Sequence, residues 1–141
     1  MVTEMDDKTN PTKALTFSRP WGLLIALGFK PLENRKWQTH FRGRIYIHSA
    51  KGLDDLGFTY ANRILTDEQF TVFLNYARNL DIPGSIIGEV DIVDCSRKSG
   101  SPWAMEGQWH WLLDDPEIYD KPVRILGHLG LWDKGLQEVG L

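Results

Sequence analysis

Apolar and polar positions along the chain divide it into short strands and a few helices. Ala14-Leu15-Thr16-Phe17 alternates as a first strand does. Ser18-Arg19-Pro20-Trp21 reads as a helix start, with Ser18 as the cap and Pro20 in a first turn where no intrahelical donor is needed. Trp21–Leu27 is apolar nearly all round, which predicts a buried helix, and Gly28 follows it as a terminating glycine. Pro31 forbids further helix and suits the beginning of a strand, along which Glu33, Arg35 and Trp37 share a face. Arg42-Gly43 turns the chain into Arg44–Ser49, a second alternating strand with Ile45 and Ile47 inward.

Thr66 caps a helix over residues 67–79, whose inner face is Phe70, Phe73, Leu74 and Ala77. Asp67 and Glu68 in its first turn favour the positive end of the helix dipole. Ile82-Pro83-Gly84 is a break, and residues 85–95 form the strongest strand signal in the chain. A polar loop over 96–102 leads to Trp103 and then to Trp109–Leu113, after which Asp114-Asp115-Pro116 reads as another break. Val123–Leu126 and Leu129–Trp132 are short closing segments. Strands interrupted by two or three helices predict an α+β fold with a barrel or strongly curved sheet. Residues 1–12, polar and acidic, are expected to be a flexible N-terminal tail, and 13–141 a single domain.

Composition narrows this picture. At 141 residues, 42% hydrophobic and 25% charged, the chain suits one globular domain with one core. Cys95 is the sole cysteine, which excludes an intrachain disulfide and a cysteine-based zinc site. No secretory signal pattern and no apolar run of membrane-spanning length is present, so a cytoplasmic setting and no membrane partner are expected. The net charge of −3 is unlike that of a generic nucleic-acid binder, yet charge is unevenly placed. Lys30, Arg35, Lys36, Arg42, Arg44 and Lys51 lie between residues 30 and 51 with Glu33 as the only acid, whereas acids dominate from Glu106 onward. Such a cluster is either a local basic face for phosphates or an ordinary solvated surface.

Lys30, Glu33 and Arg35 place an ammonium, a carboxylate and a guanidinium within six positions at a helix-to-strand junction. The group is suited to holding a polyanion, reading a base edge or activating water. It is equally suited to a structural ion pair in which Glu33 bridges Lys30 and Arg35. Trp103, Trp109 and Trp111 fall within nine residues, and Trp21 and Trp37 flank the charged cluster. Trp111 and Trp132 are expected in the core, while Trp103 and Trp109 border a polar loop and are candidates for stacking on a base. The four histidines show no metal-ligand spacing, and Cys95 closes an apolar strand as a buried thiol would. No Ser/His/Asp arrangement and no glycine-rich phosphate loop is legible, so neither a metal nor a cofactor is expected.

Gly28-x-Lys30-x-x-Glu33-x-Arg35 resembles the signature of the ASCH domain family, a PUA-like group. Its setting is similar too: Ser18, Pro20 and Trp21 before it, Trp37 after it, Phe41-Arg42-Gly43 turning into Ile45-Tyr46-Ile47-His48, then Ile87-Gly88-Glu89-Val90 and Gly107–Trp111. The resemblance covers roughly residues 14–132 and implies a PUA-like β-barrel with flanking helices and a cleft lined by the signature. It further implies binding of RNA, DNA or a single modified base. One branch of the family hydrolyses acetylated cytidine, using a Lys, a Thr nucleophile and a later Glu, and ribonuclease activity is attributed to some members. Here Glu33 stands at the Thr position and cannot take over a hydroxyl's nucleophilic role, though it could act as a base for water beside Lys30. Glu106 is the nearest candidate for the later acid.

The expected partner is thus single-stranded RNA, another nucleic acid or a modified nucleoside. Lys30, Glu33, Arg35, Lys36, Arg42, Arg44, Trp103 and Trp109 are the binding candidates. Lys30, Glu33 and Glu106 carry the alternative, a hydrolase acting on a nucleoside or RNA. A protein-interaction adaptor is the third reading, and it alone would survive charge changes in the cleft.

Overall fold

A computed structural model describes residues 9–141; most of the expected N-terminal tail lies outside the described residues. Six strands and three α-helices run in the order β1 (Lys13–Arg19), α1 (Trp21–Ala26), β2 (Leu32–Arg35), β3 (Gly43–Leu53), α2 (Leu56–Ile64), α3 (Asp67–Asn79), β4 (Ser85–Ser96), β5 (Trp109–Arg124) and β6 (Leu131–Trp132). They make one mixed sheet of order β2-β5-β4-β3-β1-β6, parallel only between β1 and β3. The α+β class is as expected, but the sheet is open rather than a closed barrel. Its edges are β2, paired only to β5, and β6, paired only to β1. No described strand joins those edges.

Period-two alternation sorts side chains between two apolar clusters. Leu15, Phe17, Ile45 and Ile47 face the larger one, with α1 and the helix residue Phe73, while Ala14 and Tyr46 face a smaller one with Trp132 and Leu136. On β4, Ile86 faces the smaller cluster, and Ile87, Val90 and Ile92 face the larger. That parity change is absorbed by irregularities in the β4–β5 register between Ile86 and Gly88 and between Glu89 and Asp91. Every residue of α1 after Trp21 is buried, as its unbroken apolar run requires.

Three local expectations change. Ser18 belongs to β1, and α1 is capped by Pro20 without any side-chain hydrogen bond. Asp114-Asp115-Pro116 does not end a strand, because β5 runs through it; Asp115 takes φ 53° there, beside the irregular register. Helix α2 was not legible, and its first turn is closed by Asp54, whose Oδ1 accepts the Leu56 N–H at 3.1 Å. By contrast α3 has the expected bounds, with a capping box in which Thr66 Oγ1 accepts from Gln69 N and Gln69 Oε1 accepts from Thr66 N.

Candidate functional site

Gly28 begins the site. At φ +82° it takes a left-handed conformation that other residues rarely adopt, and it turns the chain sharply at the end of α1. The N–H groups of Phe29 and Lys30 then donate back to the Leu24 carbonyl at 3.0 and 3.1 Å. This fold-back carries Lys30 under Trp21 and into the sheet, where its side chain is only 2% exposed.

An amine so buried needs partners. Lys30 Nζ donates to the Leu32 carbonyl at 2.7 Å and to Glu33 Oε1 at 3.1 Å, and lies 5.2 Å from the Trp21 ring centre. Burial pulls the Lys30 pKa below the ordinary lysine value, with the Glu33 carboxylate opposing that shift. The other oxygen, Glu33 Oε2, accepts from Arg35 Nε at 3.0 Å. Arg35 is fixed in turn by donation to the Thr16 carbonyl at 3.0 Å and by the rings of Phe17, Trp37 and Trp111 around its guanidinium. Glu33 therefore bridges two cations, one on each oxygen.

Above this pair opens a cavity of about 390 Å³. Trp21, Tyr60 and Trp103 give it aromatic surface; Lys30 and Glu33 give it charge; Asn34, Asp54 and Glu106 add polar atoms. Trp21 is held by donation from its Nε1 to Asp54 Oδ2 at 2.8 Å. Asn34 ties down the loop that carries Trp103 and Glu106: its amide nitrogen donates to the Trp103 carbonyl and its oxygen accepts the Met105 N–H, each at 3.0 Å. The volume falls within the range of about 300–1,000 Å³ usual for small-molecule sites.

The sequence profile of the ASCH domain matches residues 15–121, most of the chain and all of the residues that build this cavity. The chain belongs to the ASCH domain family. Among curated proteins, the mouse Activating signal cointegrator 1 is 29% identical over 86 residues and the human Activating signal cointegrator 1 is 31% identical over 87 residues. Each match takes in 57% of this chain and 14% of the relative, so the chain spans only a small part of the length of these proteins.

In this ASCH domain the expected site residues separate. Lys30, Glu33, Trp103 and Glu106 meet around the cavity. Arg35 stands behind Glu33 and lines a different concavity. Lys36 is exposed beyond β2, and Arg42 donates to the Thr39 and Phe41 carbonyls with the Asp94 carboxylate 3.7 Å away; neither lines the cavity. Trp109 is half-buried outside it, with the Arg97 guanidinium 5.2 Å from its ring.

Arg44 is a correction. Expected on the ligand face, it is buried against acids from other strands: Nε pairs with Glu89, and Nη1 lies 3.1 Å from Asp91 Oδ1 and 3.8 Å from Asp115 Oδ2. A guanidinium so enclosed is not available to a phosphate. Trp111 and Trp132 lie in the two clusters, as expected. Asn34, Asp54 and Tyr60 were missed, because their partners in the site come from distant parts of the chain. Among the described residues, no three His, Cys, Asp or Glu side chains are placed to hold a metal, and no helix is long and apolar enough to cross a membrane.

Proposed function

We propose that the cavity takes one nucleobase, either an unpaired base of single-stranded RNA or that of a modified nucleoside. The observation that carries this reading is the Lys30–Glu33 pair set beneath aromatic walls. Lys30 has three N–H donors and spends two on Leu32 and Glu33, leaving one. Each Glu33 oxygen accepts one hydrogen bond from a cation and retains a second acceptor site. A donor beside an acceptor complements a base edge that carries a ring nitrogen or carbonyl next to an amino group, as cytosine and adenine do. Indole and phenol surfaces supply the apolar contact by which single bases are held. With Arg44 withdrawn, this reading rests less on phosphate contacts inside the cavity than the basic sequence cluster suggested.

The test is a polarisation titration of labelled single-stranded RNA, with calorimetry of free cytidine and adenosine beside it. Lys30→Met and Glu33→Gln should each weaken binding about tenfold or more, consistent with about 1.5–3 kcal/mol for a hydrogen bond to a charged group. Melting curves identify any variant that has simply unfolded. Binding that ignores both substitutions in folded protein would sink the reading, as would a wild type that takes neither RNA nor nucleoside.

One observation favours a second reading, hydrolysis of an acyl amide on a nucleoside. A buried amine of lowered pKa stands beside a carboxylate, with Glu106 lining the same cavity. Glu106 is exposed, so Glu106→Gln should leave folding in place. If the domain is such an enzyme, that variant loses turnover of an N-acetylated cytidine. A wild type that binds this nucleoside and never cleaves it refutes the enzyme reading alone.

A further inference from the structure

A second concavity, of about 760 Å³, opens where the chain leaves β5. One wall is the segment 125–130, which lies directly over His48. A Cβ on Gly127 would stand 2.6 Å from His48 Cε1 and 2.9 Å from Thr16 Oγ1, so only glycine permits this approach. A chain of hydrogen bonds holds the wall to the sheet. Trp132 Nε1 donates to Thr16 Oγ1 at 3.0 Å, the Thr16 hydroxyl lies 3.1 Å from His48 Nδ1, and His48 Nε2 donates to the Ile125 carbonyl at 2.8 Å.

Its charge is one-sided. Arg35, Lys51 and Arg124 bring positive charge to the groove, His48 and His128 line it beside them, and among the described residues no Asp or Glu does. The chain as a whole has 19 acidic against 16 basic residues, so this sign is opposite to that of the molecule. Strand register collects the cations. Ser49 of β3 lies across from Ser85 of β4, and Ser85 across from Arg124 of β5, while past Ser49 the Lys51 side chain reaches Gly84, where a Cβ would stand 3.7 Å from Lys51 Cε. Lys51 and Arg124 are exposed, and neither pairs with a carboxylate among the described residues.

We infer that this groove seats the sugar–phosphate backbone of a single-stranded nucleic acid whose neighbouring base occupies the cavity, an inference that rests on reading the cavity as a base site. Arg35 is the hinge of the argument. Its Nε holds Glu33 in the cavity, while the same side chain lines the groove, so one guanidinium separates base site from backbone site. Arg124 offers a planar fork and Lys51 a mobile point charge, the two means by which proteins meet phosphodiesters. An oligonucleotide then binds through base and backbone, a free nucleoside through its base alone.

The experiment compares wild type, Lys51→Gln/Arg124→Gln and a control, Lys134→Gln, which lies outside both concavities. Each is titrated with labelled single-stranded RNA at 50 and 200 mM salt, and with inorganic tripolyphosphate as competitor. Removing two backbone contacts to a single strand lowers the salt slope by about 1.4, so the double variant should lose about sevenfold less affinity than wild type over that range. It should also bind RNA more weakly at 50 mM salt, while the control matches wild type.

An unchanged slope in the double variant overturns the groove and leaves the cavity standing, provided Lys30→Met still weakens binding about tenfold or more. Tripolyphosphate that competes as tightly per molecule as the RNA, and only when Lys51 and Arg124 are present, assigns the groove to free polyphosphate and overturns the nucleic-acid inference. A wild type that binds free nucleoside but no RNA overturns it too, without touching the cavity reading. Loss of both RNA and nucleoside binding in wild type overturns the two together.

Discussion

The side-chain oxygen of Asn34 lies 2.8 Å from Nδ1 of His110, its partner across the β2–β5 ladder. That oxygen also accepts the Met105 N–H, and the Asn34 amide nitrogen donates to the Trp103 carbonyl, so the orientation of the amide is fixed from both ends. His110 must then carry its proton on Nδ1, since a carbonyl oxygen can only accept. One residue thereby joins the signature strand, the loop over the cavity and the buried imidazole. Asn34→Leu should cost about 1–3 kcal/mol, the penalty for leaving the buried His110 donor unmet. Hydrogen exchange at the Met105 amide should speed up beyond the global change, and nucleoside affinity should fall. Retained local protection of Met105 in the variant would show that the loop holds itself.

Arg44 leads to a prediction of the opposite kind, large for stability and nil for binding. Arg44→Met leaves Glu89, Asp91 and Asp115 facing one another without their guanidinium. Breaking a buried pair from one side costs about 3–5 kcal/mol, and the lower end applies because Asp91 and Asp115 keep part of their surface in water. Denaturant midpoints should drop accordingly with little change in m. RNA affinity corrected for the folded fraction should stay within about twofold; a specific loss would return Arg44 to the ligand face.

The third prediction concerns acid. Burial pushes the His48 imidazole below the usual histidine range, against hydrogen bonds to the Ile125 and Gly84 carbonyls and with help from neighbouring His128. Its folded pKa is therefore lower than its unfolded value of about 6.5. Between the two, the unfolded chain binds a proton that the native one does not, so stability falls as pH drops through that window and is fully present above it. Urea midpoints at pH 7.5 and 5.5 should differ by less in His48→Gln than in wild type. An equal difference in the two proteins would assign the acid sensitivity to other groups.

The sequence and the structure agree where the deciding contacts are local. Thr66 and Gln69 are three residues apart, so the capping box and α3 can be read directly from the chain. The Lys30–Glu33–Arg35 bridge spans six positions and was one of two open readings. Contacts set by strand register were not legible. Arg44 looked like a surface cation because Glu89, Asp91 and Asp115 reach it only through β3–β4–β5 pairing. Asn34 meets partners 69 to 76 positions away, and nothing in its neighbours announces them. The Asp114-Asp115-Pro116 break failed for a related reason: a local turn signal was absorbed by a kink once β4 supplied partners for β5 on both sides of it.

The open sheet also bears on how this domain behaves in a crowded solution. An exposed strand edge is a template on which another chain can add, and the hazard grows with the length of the free edge. Here the outermost strands are the shortest among the described residues, four residues in β2 and two in β6. Beyond β2 come the exposed charge of Lys36 and an irregular segment, and beyond β6 the charged pair Asp133-Lys134. Because β2 covers only Trp109–Leu112, the remainder of β5 is the longer bare edge among the described residues. There the kinked Asp114-Asp115-Pro116 stretch sets charge and a residue without an amide hydrogen against any added strand. The domain should therefore stay dispersed at concentrations where a regular edge of that length would seed fibrils.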